Sequence, residues 1–177
     1  MTFATALTLA RLVLVVPVGI LALNQQNIAA LLLFVVAAAT DFLDGWVARR
    51  FDQVTPLGAR LDASVDKVFI YAMLGALLLR GALVATLVAA AFARDMLVEV
   101  LRQQAANRRR VIPANRWGKS KFLLQCLSVA IALIAQSLPN AASWYFVANA
   151  VLVVAVLASL PGVVIVWNSV RSESQAA

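Results

Sequence analysis

An all-α fold, a single domain over residues 1–177 built from six transmembrane helices, is what this sequence predicts. Three observations predict it. Of the 177 residues 63% are hydrophobic, and mean hydropathy is +0.90, whereas a water-soluble domain is nearer half apolar. The apolar residues gather into six runs, each close to the roughly 20 residues that a spanning helix needs. The cations collect in alternate gaps between those runs, as they do when a chain crosses a membrane repeatedly.

The first run is Phe3–Leu23. Its apolar content resembles a signal peptide, but Arg11 interrupts it and no basic stretch precedes it, so a retained first helix is expected. The segment Asn24-Gln25-Gln26-Asn27 reads as a short polar turn into the second run, 27–48. Thr55-Pro56 reads as a cap followed by a first-turn proline, opening the third run, 57–79. The fourth and fifth runs are 82–105 and 119–137. Pro139-Asn140 makes a further turn before the sixth, 141–167, where Pro161-Gly162 should kink or fray the helix.

Fifteen Lys and Arg against eight Asp and Glu leave a net charge of +7. Arg49, Arg50 and Arg60 flank the second gap. Arg102, Arg108, Arg109, Arg110, Arg116, Lys119 and Lys121 flank the fourth, and Arg171 follows the last run. The first and fifth gaps carry no cation and the third offers only Arg80. The positive-inside rule then places the even gaps and both termini in the cytoplasm, in a multi-pass protein of the cell (inner) membrane. The charge reads as topology and lipid contact, with no nucleic-acid partner expected. There is no histidine, and the one cysteine, Cys126, lies in an apolar run. Zinc sites, a Cys–His nucleophile and an intrachain disulfide are excluded.

The acidic residues are concentrated. Five of the eight fall between Asp41 and Asp66. Helical spacing puts Asp41 with Asp44 on one face and Asp62 with Asp66 on another. A carboxylate at membrane depth is expensive and points to function. Ion pairing with Arg49, Arg60 and Lys67 would account for one such group, but too few bases are in register for four. Divalent cations between the carboxylates account for them better. Carboxylate oxygens suit Mg²⁺ or Mn²⁺, and paired ions of this kind serve phosphoryl transfer.

Small residues accompany the acids. Gly45 follows Asp44 and Ala48 lies one turn on, leaving a groove where a substrate can approach the backbone. Close helix packing is the alternative use of such residues. Arg49 can set a bidentate fork on a diphosphate. Thr55 can cap the third helix and also donate to phosphate.

The segment Asp41–Asp66 reads D-x-x-D-G-x-x-A-R, eight residues, then G-x-x-x-D-x-x-x-D. It resembles the signature of the CDP-alcohol phosphatidyltransferases at every defining position. The resemblance implies six transmembrane helices, a homodimer, and two Mg²⁺ or Mn²⁺ ions per active site on Asp41, Asp44, Asp62 and Asp66. It implies that Asp66 is also the catalytic base on the acceptor hydroxyl. Thr8, Gly45, Ala48, Arg49, Thr55 and Gly58 would contact the CDP-lipid, CDP-diacylglycerol.

Beyond the signature, Thr8-x-x-Arg11, Arg94-Asp95, Leu101-Arg102 and Trp117-Gly118-Lys119-Ser120-Lys121, with Gln125 after them, resemble the members that use glycerol 3-phosphate. Thr5, Asp95 and Phe122 depart from the residues usual there. Arg94 and Arg102, eight apart, lie near one helix face, and Lys119 and Lys121 open the next helix. Four cations suit an acceptor that carries its own phosphate. The expected reaction transfers the phosphatidyl group from CDP-diacylglycerol to glycerol 3-phosphate, giving phosphatidylglycerophosphate and CMP. Other acceptors within the family are phosphatidylglycerol, for cardiolipin synthesis, or an inositol phosphate. A cation or proton transporter is the rival of another class, and it would set its acids centrally rather than near helix ends.

Overall fold

The computed structural model describes the backbone of residues 3–50, 56–107 and 116–171, and within it the side chains of 11–40, 64–106 and 116–171. Every described element is an α-helix: α1 (Phe3–Leu23), α2 (Asn27–Arg50), α3 (Pro56–Leu79), α4 (Ala85–Asn107), α5 (Arg116–Ala135), α6 (Ala141–Ala158) and α7 (Leu160–Arg171). Each expected run is present, but the last is two helices. Pro161 has no N–H to give, so the ladder breaks one turn earlier. Ser159 closes the break: its Oγ donates to the Val156 carbonyl at 2.6 Å, and its own carbonyl accepts from the Gly162 N–H at 3.1 Å.

By length and hydropathy, two of the described helical stretches suffice to cross a membrane. They are Arg116–Ala135, with mean hydropathy 1.4, and Ala141–Arg171, 31 residues with 2.6. The apolar stretches described on α1 and α2 are shorter, Arg11–Leu23 and Asn27–Thr40.

Two turns at one end share one geometry. After α1, Gln25 takes φ 64°, the Gln26 N–H reaches the Leu21 carbonyl at 3.0 Å and the Gln25 N–H reaches Ala22 at 3.3 Å. After α3, Gly81 takes φ 70°, with Ala82 bonded to Leu77 at 3.0 Å and Gly81 to Leu78 at 2.9 Å. Both are Schellman closures, which need a left-handed residue after the helix. Glycine adopts it freely; glutamine does so at a cost.

Arg80 and Asn149 lock these turns together. Arg80 Nη1 donates to the Ala22 carbonyl at 2.7 Å and to Asn27 Oδ1. A cation on the last carbonyls of α1 also answers the negative end of that helix. Asn149 on α6 accepts from the Val84 N–H at 2.9 Å and donates to the Ala82 carbonyl at 3.1 Å. The one cation of the third gap is thus a capping group.

Side-chain bonds define the helix register. On α3 and α4, Lys67 meets Glu99 and Tyr71 meets Asp95. A step of four forward on one helix matches four back on the other, so the pair is antiparallel. On α4 and α6, Val84 meets Asn149 and Arg94 meets Ser159, both 65 residues apart. These two helices run parallel, and α7 continues the register where Val98 and Leu101 close on Val166. The main core mixes large apolar side chains, around a stacked Phe34–Phe69 pair, with small residues, among them the fully buried Ala22, Ala30, Ala37, Ala132 and Ala148. Small residues let helix backbones approach closely where lipid supplies no hydrophobic drive. Ser128 uses that closeness, donating across from α5 to the Ala148 carbonyl at 2.8 Å. Cys126 packs at the edge of this core, as its apolar surroundings predict.

Candidate active site

The signature carboxylates lie in the halves of α2 and α3 nearest the 51–55 segment that joins them. Asp41 and Asp44, with Gly45, Ala48 and Arg49, are on α2. Gly58, Asp62 and Asp66 are on α3, and Thr8 is on α1. The side chains of Thr8, Asp41, Asp44, Ala48, Arg49 and Asp62, and the surroundings of Gly45 and Gly58, lie outside the described residues, as does all of Thr55. Among the described side chains no group of three metal-ligating residues occurs.

Asp66 is described. Arg11 of α1 donates from Nη1 to its Oδ1 at 2.8 Å. The arginine side chain is 3% exposed and the aspartate 23%. Lys67, the base nearest Asp66 in sequence, turns instead to Glu99. The carboxylate is therefore held against a buried guanidinium and stays partly exposed.

Deeper in the bundle a second polar group centres on Asp95, whose side chain is 2% exposed. Its Oδ2 accepts from Tyr71 Oη at 2.7 Å and from Lys121 Nζ, and its Oδ1 accepts from Arg94 Nη1 at 3.0 Å. Arg94 Nη2 reaches on to the Ser159 carbonyl at 2.8 Å, and Gln125 Nε2 donates to Tyr71 Oη at 3.4 Å. One carboxylate thus joins α3, α4 and α5 and, through Arg94, the break between α6 and α7. Two cations against one anion leave a single positive charge in excess.

The four cations expected to hold an acceptor phosphate divide into two groups. Arg94 and Lys121 meet on Asp95. Lys119 is exposed two residues before Lys121, and Arg102 lies two turns along α4 from Asp95. The Nε atoms of Arg94 and Arg102 and Oε1 of Gln125 are buried without a hydrogen-bond partner among the described residues.

Reasoning on sequence missed Arg11, Tyr71 and Ser159 as parts of the polar interior. Arg11 had a usable signal, being the one charge in an apolar run. Tyr71 and Ser159 had none, since their bonds depend on which helices lie side by side.

A sequence model of the family described as CDP-alcohol phosphatidyltransferase matches residues 1–161. The chain belongs to the CDP-alcohol phosphatidyltransferase family. It is similar to a CDP-diacylglycerol–glycerol-3-phosphate 3-phosphatidyltransferase of Pseudomonas fluorescens, 39% identical over 130 residues that cover 68% of this chain and 67% of the relative. A protein of the same description from Rickettsia felis is 36% identical, covering 72% of each chain. One from Bacillus subtilis is 34% identical, covering 69% of this chain and 63% of the relative.

Proposed function

We propose that this chain transfers the phosphatidyl group of CDP-diacylglycerol to glycerol 3-phosphate, releasing CMP and forming phosphatidylglycerophosphate. The observation that carries the reading is the complete signature from Asp41 to Asp66, inside a family match that covers most of the chain. The described names of the relatives support glycerol 3-phosphate as the acceptor.

Asp41, Asp44, Asp62 and Asp66 would hold two Mg²⁺ or Mn²⁺ ions. The donor set fits such ions: it is all carboxylate, in a chain without histidine. Bound there, the ions would neutralise the diphosphate and steady the attacking and leaving oxygens. Asp66 takes the proton of the acceptor hydroxyl. The acceptor oxygen then attacks the phosphorus that carries diacylglycerol, and the bond to the CMP oxygen breaks. Thr8, Gly45, Ala48, Arg49, Thr55 and Gly58 would line the path of the CDP-lipid, with Arg49 forked on the diphosphate. Arg94, Arg102, Lys119 and Lys121 would draw in the acceptor phosphate. Among the described residues, Arg94 and Lys121 carry one positive charge more than Asp95 answers, which supports that role.

The same reading makes the chain a single six-span domain and a homodimer in the cell membrane, with the site and both termini on the cytoplasmic side. The two long apolar stretches support the membrane placement. The lie of the aspartates toward one end of α2 and α3 favours an enzyme over a transporter with a midplane site. Purified protein in detergent, given CDP-diacylglycerol and a panel of acceptors, should release CMP fastest with glycerol 3-phosphate. Faster release with phosphatidylglycerol or inositol phosphate would move the chain to another acceptor class in the family.

A further inference from the structure

Asp62 and Asp66 stand on α3, whereas the cations proposed for the acceptor phosphate stand on α4 and α5. Transfer needs those helices in one fixed relation, because an error of about 1 Å in placing a substrate can cost about 100-fold in rate. Two side-chain ties lead from α3 to α4. Lys67 meets Glu99 where both are partly exposed. Tyr71 meets Asp95 in the interior, its Oη donating to Oδ2 at 2.7 Å. The same oxygen accepts from Lys121 Nζ of α5, and Gln125 of α5 donates to the phenol at 3.4 Å. The ring stands edge-on to Phe92 of α4, with centroids 5.1 Å apart. One side chain of α3 thus touches both cation-bearing helices.

That contact bears on the direction of the ammonium. A lysine head is a point charge on a flexible stem, so its place is set by the carboxylate it meets. Among the described residues Lys121 meets Asp95 alone. Asp95 is held from two sides. Arg94, itself anchored on the Ser159 carbonyl at 2.8 Å, takes Oδ1, and Tyr71 shares Oδ2 with the lysine. A phenylalanine would pack on Phe92 as well as the tyrosine does. The hydroxyl is what carries the position of α3 across to Asp95 and so to Lys121.

We infer that Tyr71 is a positioning residue for the acceptor phosphate. Its hydroxyl holds Asp95, and through it the Lys121 ammonium, in register with the carboxylates of α3. The inference rests on the acceptor role proposed above for Lys121. A bond that only stabilised the bundle would leave the folded enzyme's preference between its substrates unchanged when cut. A bond that aims the lysine would instead weaken the use of glycerol 3-phosphate and spare CDP-diacylglycerol.

The experiment measures CMP release in detergent for wild type, Tyr71→Phe, Lys121→Met and the double variant, varying each substrate in turn. Tyr71→Phe keeps the ring and leaves Asp95 paired with both cations, so the bundle should assemble. Its KM for glycerol 3-phosphate should rise about tenfold, the low end for losing a hydrogen bond to a charged group. Its KM for CDP-diacylglycerol, and kcat with both substrates saturating, should stay within about twofold of wild type. Lys121→Met should raise the KM for glycerol 3-phosphate by about 10- to 100-fold. Adding Tyr71→Phe to Lys121→Met should raise it no further, because the hydroxyl then has no ammonium to aim. If Lys121→Met is impaired, three results would overturn the inference alone: a wild-type KM for glycerol 3-phosphate in Tyr71→Phe, equal rises in KM for both substrates, or additive effects in the double variant. A wild-type KM for glycerol 3-phosphate in Lys121→Met would overturn the acceptor role of Lys121 and the inference with it.

Discussion

Replacing Asp95 with leucine is the sharpest test of the interior. The substitution removes the acceptor for Tyr71 at 2.7 Å, for Arg94 at 3.0 Å and for Lys121. Arg94 keeps the Ser159 carbonyl. Lys121, whose side chain is 9% exposed, is left stranded. Breaking a buried pair by removing one partner costs about 3–5 kcal/mol, because the remaining charge has neither water nor a counter-ion. For a chain of this size each kcal/mol moves the midpoint by roughly 2–4 °C, so a fall of some 6–20 °C is expected. The assay is thermal unfolding of purified protein in one detergent, followed by near-ultraviolet circular dichroism. Asp95→Asn, which keeps an acceptor for Tyr71 but loses the charge, should fall between wild type and Asp95→Leu. The double variant Asp95→Leu/Lys121→Met should regain at least half of the loss, since the stranded charge goes with the lysine. A midpoint within about 2 °C of wild type for Asp95→Leu, or a double variant no better than the single, would refute the reasoning.

Other outcomes follow from the same contacts. Arg80→Met removes two charge-assisted bonds at the far end of the bundle and should lower stability by about 1.5–3 kcal/mol, leaving acceptor KM unchanged in CMP-release kinetics. Gln25→Gly should raise the unfolding midpoint modestly, because the left-handed turn costs a non-glycine residue about 1–2 kcal/mol, of which glycine's extra chain entropy returns part. Arg102→Ala and Lys119→Ala should weaken use of glycerol 3-phosphate by about 10- to 100-fold while the apparent affinity for CDP-diacylglycerol holds, as initial-rate kinetics would read. Excess chelator should abolish CMP release, and added Mg²⁺ or Mn²⁺ should restore it.

The helices themselves were legible because apolar runs, turn residues and prolines are properties of the chain taken in order. The signature was legible for the same reason, since its spacing lies along α2 and α3. Bonds between helices were not. That Arg11 would answer Asp66, or Lys121 would answer Asp95, depends on α1 lying against α3 and on α3 packing against both α4 and α5. Pro161 announced a disturbance late in the sixth run. The capture of the Ser159 carbonyl by Arg94 came from the parallel register of α4 with α6. Arg80 read as a stray charge because its partners, Ala22 and Asn27, are more than fifty residues away.

The α5–α6 hairpin projects past its neighbours at one end of the bundle. Asn149 is level with the turn between α3 and α4, yet α6 begins at Ala141, about two turns or 12 Å further out. Trp144, 44% exposed, stands on that overhang. One headgroup boundary cannot sit flush with both levels, and an exposed indole on the projecting end is the kind of side chain that anchors at such a boundary. Each ångström of mismatch costs a fraction of a kcal/mol. An enzyme that builds membrane lipid thus carries on its own flank a surface whose comfort depends on the thickness of the sheet it helps to make.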